Sequence, residues 1–186
     1  MFVAKEKKEE NIAEYILYMW QIEDLIRANQ LDLDAIQQNI IASSSLSPDK
    51  KKQLLEWYSD LIEMMRAENI QQTGHLQFVS NALDDLIDLH YALVKSQKHA
   101  DYTAQLYKAL PYMADFIRRS EVASHAKDEV EGCFVFLYGV FLLRLQRKPL
   151  TQETEQAFAQ ISKLIALLSL KYKQFQLGAL DPESLS

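Results

Sequence analysis

Glycine, proline and cysteine are scarce in this sequence, and each shortage excludes a class of structure. The 186 residues include four glycines, four prolines and one cysteine. Sandwiches and barrels need frequent turn residues at short, regular spacing, so the composition favours an all-helical protein. The single Cys133 excludes a disulfide framework. Because it lies in an apolar segment, we interpret it as a buried and unreactive thiol.

The sequence also lacks the short motifs of common enzyme classes. None of the four histidines completes a Glu-x-x-His motif, which argues against a ferritin-like di-iron protein. His-Glu-x-x-His, Cys-x-x-Cys, Gly-x-Ser-x-Gly, Walker and Gly-x-Gly-x-x-Gly motifs are absent as well. We therefore expect no cofactor, and we disfavour an enzymatic role without excluding it.

Basic residues are outnumbered by acidic ones, 20 to 26, which gives a formal net charge of −6. This balance disfavours binding to nucleic acid, because such binding depends on neutralising phosphates. Lysine and glutamate alternate over residues 5–10, and Glu14 and Gln21 interrupt the apolar residues beyond. That pattern is not typical of a signal peptide or a membrane anchor. We expect a cytoplasmic protein without a membrane or nucleic-acid partner.

An uninterrupted apolar segment without a charged side chain runs from Gly132 to Leu143. A helix that is apolar around its whole circumference lies in a protein core or in lipid. This one would be roughly 18 Å long, too short for the roughly 30 Å of a bilayer core. Acidic residues precede it and basic residues follow it, as the helix dipole favours. The segment predicts a central buried helix near 126–146.

Apolar residues recur at helical spacing in five further segments, which predict long helices. These segments are approximately 6–28, 48–72, 76–98, 102–119 and 152–177, with caps at Ser47, Asp101 and Thr151. A short helix capped by Asp32 or Asp34 should reach Ile41. Pro111 falls inside a predicted helix, which must kink or restart there. The expected fold is an all-α, single-domain bundle over 1–178, with six long helices, a short one and a flexible tail at 179–186.

Polar side chains interrupt the apolar pattern of the first long helix. Two interpretations remain open. The favoured one is an amphipathic helix on which Glu23 and Arg27 form an i,i+4 pair. The other is a ligand pocket near two tyrosines, Tyr15 and Tyr18. Its candidate ligand-binding residues are Gln21, Glu23, Asp24, Arg27 and His90.

Three possible metal ligands follow one another at i,i+4 spacing: Glu121, His125 and Glu129. On one helix they would share a face, and carboxylates and imidazole are common metal ligands. The favoured alternative is a surface helix start enriched in acidic residues because of the helix dipole.

Three segments together resemble a known family. Residues 11–27, 133–145 and 161–172 are similar to a family of small all-helical bacterial proteins of unknown function found among Bacteroidetes. The resemblance spans nearly the whole chain. It implies an all-helical fold and a bacterial cytoplasmic setting, and it assigns no activity to any residue.

The leading functional hypothesis is a non-enzymatic interaction or scaffold protein that binds a protein partner or itself, for example as a homodimer. It depends on apolar residues outside the inner stripes, which would mark an interface if exposed together: Leu17, Trp20, Trp57 and Met64. Gly139, which costs a helix roughly 1 kcal/mol relative to alanine, would permit close approach by another helix. The alternative is a small-molecule or metal-binding bundle with its polar pocket on the first helix.

Overall fold

The computed structural model describes residues 1–120, 126–180 and 185, and all regular elements in these ranges are helical. The all-α class predicted from the sequence is confirmed. Six helices have at least four turns, as expected. In chain order the elements are α1 (Phe2–Glu10), α2 (Ile12–Ala28), α3 (Leu33–Ile36), a π-helix (Gln37–Ile41), α4 (Pro48–Ala67), α5 (Gln77–Ser96), α6 (Ala100–Arg119), α7 (Glu129–Leu145) and α8 (Gln152–Gln176).

The chain divides into two compact units. The first comprises Met1–Glu10 and Glu14–Ala82, and the second comprises Asn11–Ala13 and Leu83–Ser186. Each has fully buried apolar side chains, such as Ile16 and Met65 in the first and Phe134 and Ile161 in the second. The division into two units does not test the single domain expected over 1–178, which stays a prediction.

The helix predicted over 6–28 is two helices, α1 and α2, with Asn11 between them. The Oδ1 atom of Asn11 accepts hydrogen bonds from the Ala13 amide at 3.1 Å and from the Ser169 hydroxyl at 2.6 Å. An asparagine side chain that binds a nearby backbone amide competes with the helical hydrogen bonds. This local competition explains the break, which the apolar spacing alone does not reveal.

Side-chain caps begin three of the later helices. Asp32, one of the two predicted caps, accepts from the amides of Asp34 and Ala35. Thr151 caps α8 through the Thr154 amide, as predicted, and Asp128 caps α7 through the Val130 amide. The predicted Asp101 cap is wrong, because α6 begins at Ala100 and His99 is at the cap position. The Asp101 carboxylate lies in the first turn and binds Lys171 Nζ at 2.9 Å.

Pro111 neither restarts nor ends its helix, because α6 continues through it from Ala100 to Arg119. Proline lacks the amide that would bind the carbonyl four residues earlier, here that of Tyr107. Tyr107 is 70% exposed, so water can replace the missing donor.

Helix α7 packs against α6 and α8 within the second unit. The burial expected for this segment is found from Val130 to Val140, where seven residues are buried. Further along, Phe141 is 36% exposed and Leu145 69% exposed. Gly139, within the same stretch, is exposed as well. The helix therefore packs one side into the core, and the prediction that it is buried around its whole circumference is wrong.

The flexible tail expected over 179–186 lies mostly outside the described residues. Of the residues that are described, Leu180 is buried and its amide donates to the Gln174 carbonyl at 3.1 Å. Flexibility of the tail stays a prediction.

Candidate functional site

The buried carboxylate of Glu23 binds the connection between α4 and α5. Glu23 is 0% exposed, and it accepts hydrogen bonds from His75 Nδ1 at 2.6 Å and from the Leu76 amide at 2.9 Å. Because an ionised carboxylate only accepts, Nδ1 of His75 carries the hydrogen. The imidazole also stacks on Trp20, with 4.2 Å between ring centroids and 9° between planes.

Arg27, one turn further along α2, binds the same connection. Its guanidinium donates to the Ile70 carbonyl at 3.2 Å and to the Gly74 carbonyl. Gly74 has φ +94°, a conformation that favours glycine. Arg27 pairs with Asp24 at 2.9 Å, and not with Glu23 as the i,i+4 spacing predicted. The polar side chains of α2 therefore bind the α4–α5 connection, which belongs to the same compact unit.

The remaining candidates on α2 are partly or fully buried. Gln21 is half-buried and Tyr15 is buried. Burial, and secondarily the charge of Glu23, raises the pKa of Tyr15, and burial raises the pKa of Tyr18. Both phenols therefore stay neutral at pH 7.

His90 is the centre of a second polar cluster, in the other compact unit. Its Nδ1 lies 2.6 Å from the Tyr102 hydroxyl and its Nε2 lies 2.8 Å from Glu129 Oε1. The carboxylate accepts from Nε2–H, so in a neutral imidazole Nδ1 accepts from the Tyr102 hydroxyl. The pocket that would combine α2 with His90 stays a prediction.

In the second cluster, the Tyr102 side chain is closed off from solvent. Tyr102 is 0% exposed and Cys133 1% exposed. Burial is the main cause that raises the pKa of both the phenol and the thiol, and the nearby carboxylates of Glu129 and Asp128 raise both further. Through the hydrogen bonds of His90, the cluster joins α5, α6 and α7.

The predicted metal triad is described at one position only. Glu129 binds His90, whereas Glu121 and His125 lie outside the described residues. In the described ranges, no three His, Cys, Asp or Glu side chains are grouped to hold a metal ion. The triad itself stays a prediction.

His75 and Tyr102 are the polar residues that the sequence interpretation missed. His75 lies in a loop 52 positions from Glu23, and Tyr102 lies 12 positions from His90 on another helix. Neither separation corresponds to a helical period, so no spacing rule finds them.

The apolar residues that suggested an interface are less accessible than expected. Trp20 is only 3% exposed, and Leu17, Trp57 and Met64 are half-buried. They provide no common exposed patch. The most exposed large apolar side chains lie elsewhere, on α6, α7 and just beyond α8: Tyr107, Leu145 and Leu177.

The solvent side of α7 carries a continuous apolar stripe, which we call the α7 outer face. Its members are Val135, Tyr138, Gly139, Leu142 and Leu145. Gly139 and Leu145 are exposed, and the other three are half-buried. They recur at the helical spacing of one side. Apart from its two chain neighbours and the backbone of its own helix, no described atom lies within 4 Å of a Cβ built on Gly139, so the position faces open space.

A cleft of about 360 Å³ lies between α6 and α8. Its walls include three aromatic rings, Tyr112, Phe116 and Phe136, of which the two phenylalanines meet edge to face at 5.0 Å. Arg119 on the rim already binds Asp115 at 3.0 Å. The volume is near the lower limit of small-molecule pockets.

The fold and these surfaces define a class: an all-helical protein with internal polar clusters and an outward apolar helix face. A family model described as a domain of unknown function (DUF4924) matches residues 1–179, so the chain belongs to that family. No curated protein and no solved structure matches the chain. Among the described residues, no helix has the length and apolarity needed to cross a bilayer.

Proposed function

We propose that this protein is a non-enzymatic interaction protein whose contact surface is the α7 outer face. The observation that carries the proposal is Gly139, with its open surroundings inside an apolar stripe. Glycine in a helix interior costs about 1 kcal/mol relative to alanine. Beyond its chain neighbours and the backbone of its own helix, no described residue lies within 4 Å of a Cβ at Gly139, so no described contact requires a glycine there. A helix of another molecule would use the space.

Exposed apolar area supports the same surface. Leu145 is 69% exposed at the end of the stripe, and Tyr138 stacks on Phe141 with 6.1 Å between centroids. Complete burial of such a side chain stabilises a complex by about 1.5–3 kcal/mol. Contiguous apolar side chains framed by charged ones are typical of interaction sites.

The polar clusters support a role without catalysis. Glu23 and Arg27 bind a loop, and Tyr102 is enclosed. An active site needs polar groups that converge on a space where a substrate can lie. Neither cluster offers such a space.

The setting we propose is the cytoplasm of a bacterium, among the Bacteroidetes, with a protein partner and no cofactor. The net charge of −6 disfavours a nucleic-acid partner. The resemblance of residues 11–27 supports the bacterial origin.

Site-specific photo-crosslinking in the host tests the proposal. Benzoylphenylalanine would replace Leu145 in one variant and Tyr107 in a control variant. The two positions are matched, with exposures of 69% and 70%. We expect a protein adduct from position 145 and much less from position 107, because only the former lies on the α7 outer face. Equal adducts from both positions, or none from 145, would contradict the proposal.

A small-molecule binding role is the second candidate, and the cleft between α6 and α8 favours it. Its three aromatic walls suit a planar apolar ligand. The originally predicted location on α2 has less support, because Glu23 and Arg27 already bind the α4–α5 connection. Native mass spectrometry of protein from its own host should then show a retained ligand that the Tyr112→Ala variant loses.

A further inference from the structure

We infer that the partner of the α7 outer face is a second copy of this chain, with the two α7 helices antiparallel. This inference rests on the proposed function and names its partner. It uses three features of α7: the position of Gly139, the charges at the two ends of the helix, and the length of the helix.

Gly139 and Tyr138 are neighbours near the middle of α7, which runs from Glu129 to Leu145. A two-fold axis between them places Tyr138 of each copy over Gly139 of the other. The ring then fills the open space above the glycine. The same axis sets Val135 of one copy opposite Leu142 of the other. Such an isologous contact closes after two copies and forms a dimer.

The charges around α7 favour the antiparallel direction. Asp128 and Glu131 lie at its beginning, and Arg147 and Lys148 follow its end. Antiparallel pairing sets the acidic end of each copy against the basic end of the other. Parallel pairing would set like charges together, which disfavours that complex. The helix dipoles favour the same direction.

The length of α7 limits the affinity. Its 17 residues extend about 25 Å, and a helix is about 10 Å wide, so the paired area is smaller than the roughly 800 Å² per partner of stable complexes. We therefore expect a weak dimer that dissociates between about 1 µM and 1 mM protein.

Sedimentation velocity over that concentration range tests the surface. Leu145→Glu should weaken dimerisation at least tenfold, because it buries a charge against the other helix. Tyr107→Glu, at a position of equal exposure, should leave it unchanged. Raising the salt concentration from about 0.05 M to 0.5 M should weaken the dimer severalfold, because the end charges are screened.

Disulfide trapping tests the direction. The only native thiol, Cys133, is buried, so an introduced cysteine reacts alone. In the antiparallel dimer, a mixture of Val135→Cys and Leu142→Cys chains should form the mixed disulfide, and Leu142→Cys alone should form little. Seven residues of helix separate the two positions by about 10 Å, beyond the reach of a disulfide. A parallel dimer would give the opposite result and would overturn the inference.

The two proposals fail in different ways. A monomer at every concentration, together with a specific adduct from position 145 to another protein, would overturn self-pairing and leave the interaction role intact. A monomer without any specific adduct would overturn both. A dimer that Leu145→Glu does not weaken would also overturn the inference, because the contact would then lie elsewhere.

Discussion

Helices α2 and α7 use polar and apolar residues in opposite ways. On α2, the charged Glu23 is fully buried and Arg27 reaches backbone carbonyls of a neighbouring loop. On α7, the most apolar helix of the chain, Leu145 is largely exposed. Residue polarity therefore does not tell which side of a helix meets another molecule. Glu23 and Arg27 of α2 bind atoms of their own unit, whereas at Gly139 of α7 a Cβ would meet no described atom beyond its chain neighbours and its own helix backbone.

The largest expected effect comes from removing the buried carboxylate of α2. Glu23→Ala takes the acceptor from His75 Nδ1 and the Leu76 amide, and it leaves that buried amide unpaired. We expect the free energy of unfolding to fall by about 3 kcal/mol. Urea denaturation measures it. Asp24→Ala, on the same helix but half-exposed, should change it by less than about 0.5 kcal/mol. Equal small effects would mean that Glu23 does not hold the loop.

The second cluster should show the same dependence on internal hydrogen bonds. Tyr102→Phe removes the hydroxyl that donates to His90 Nδ1 and keeps the ring in place. We expect a loss of about 1–2 kcal/mol in unfolding free energy, because a buried nitrogen loses its partner. Tyr107→Phe is the control, since its hydroxyl belongs to a side chain that is 70% exposed. An equal loss of unfolding free energy in Tyr107→Phe would contradict the explanation by burial.

Gly139→Ala should stabilise the folded chain, which would distinguish the open face of α7 from the hydrogen-bonded face of α2. The added methyl group meets open space, and alanine favours a helix by about 1 kcal/mol. We expect the unfolding free energy to rise by about 0.5–1 kcal/mol at protein concentrations low enough to keep the chain monomeric. Thermal and urea denaturation measure the change. Destabilisation would show that the space above Gly139 is occupied within the chain.

The smallest expected effect is a loss of stability at acidic pH. The hydrogen bond from Lys171 holds the pKa of Asp101 below its usual value of 3.8. A lowered pKa in the folded state stabilises the protein above pH 4, and this contribution is lost as the pH falls through the folded value. Because Asp101 is largely exposed, we expect only a few tenths of a kcal/mol. The stabilities of Asp101→Asn and the parent chain should converge as the pH falls through the lowered pKa of Asp101; a constant difference would contradict this.

Helical periodicity predicted most of the fold. Apolar spacing located the six long helices, and Asp32 and Thr151 were recognisable as caps. The break at Asn11 was missed, because it comes from a side-chain hydrogen bond with the Ala13 amide, which apolar spacing does not reveal. The start of α6 at Ala100 was missed because the cap position is occupied by His99, which makes no side-chain cap hydrogen bond and so gives no sequence signal.

The candidate site was less predictable than the fold. Glu23 and Arg27 were identified as unusual polar residues, but their partners are loop atoms that no sequence pattern indicates. Trp20 was expected at an interface and is buried by stacking on His75. Gly139 was recognisable, because glycine in an apolar helix is costly wherever the helix lies. Its exposure could be found only from the packing of α7.

The most direct measurement of the central claim compares Gly139→Ala with Gly132→Ala in dimerisation and in unfolding. Both make the same substitution on α7, but a Cβ at Gly132 meets Ile117 at 3.6 Å whereas one at Gly139 meets nothing within 4 Å. We predict that both variants unfold at higher denaturant concentration than the parent chain. Only Gly139→Ala should dimerise more weakly, by about tenfold. Unchanged dimerisation of Gly139→Ala, or equal weakening by the two variants, would contradict the account.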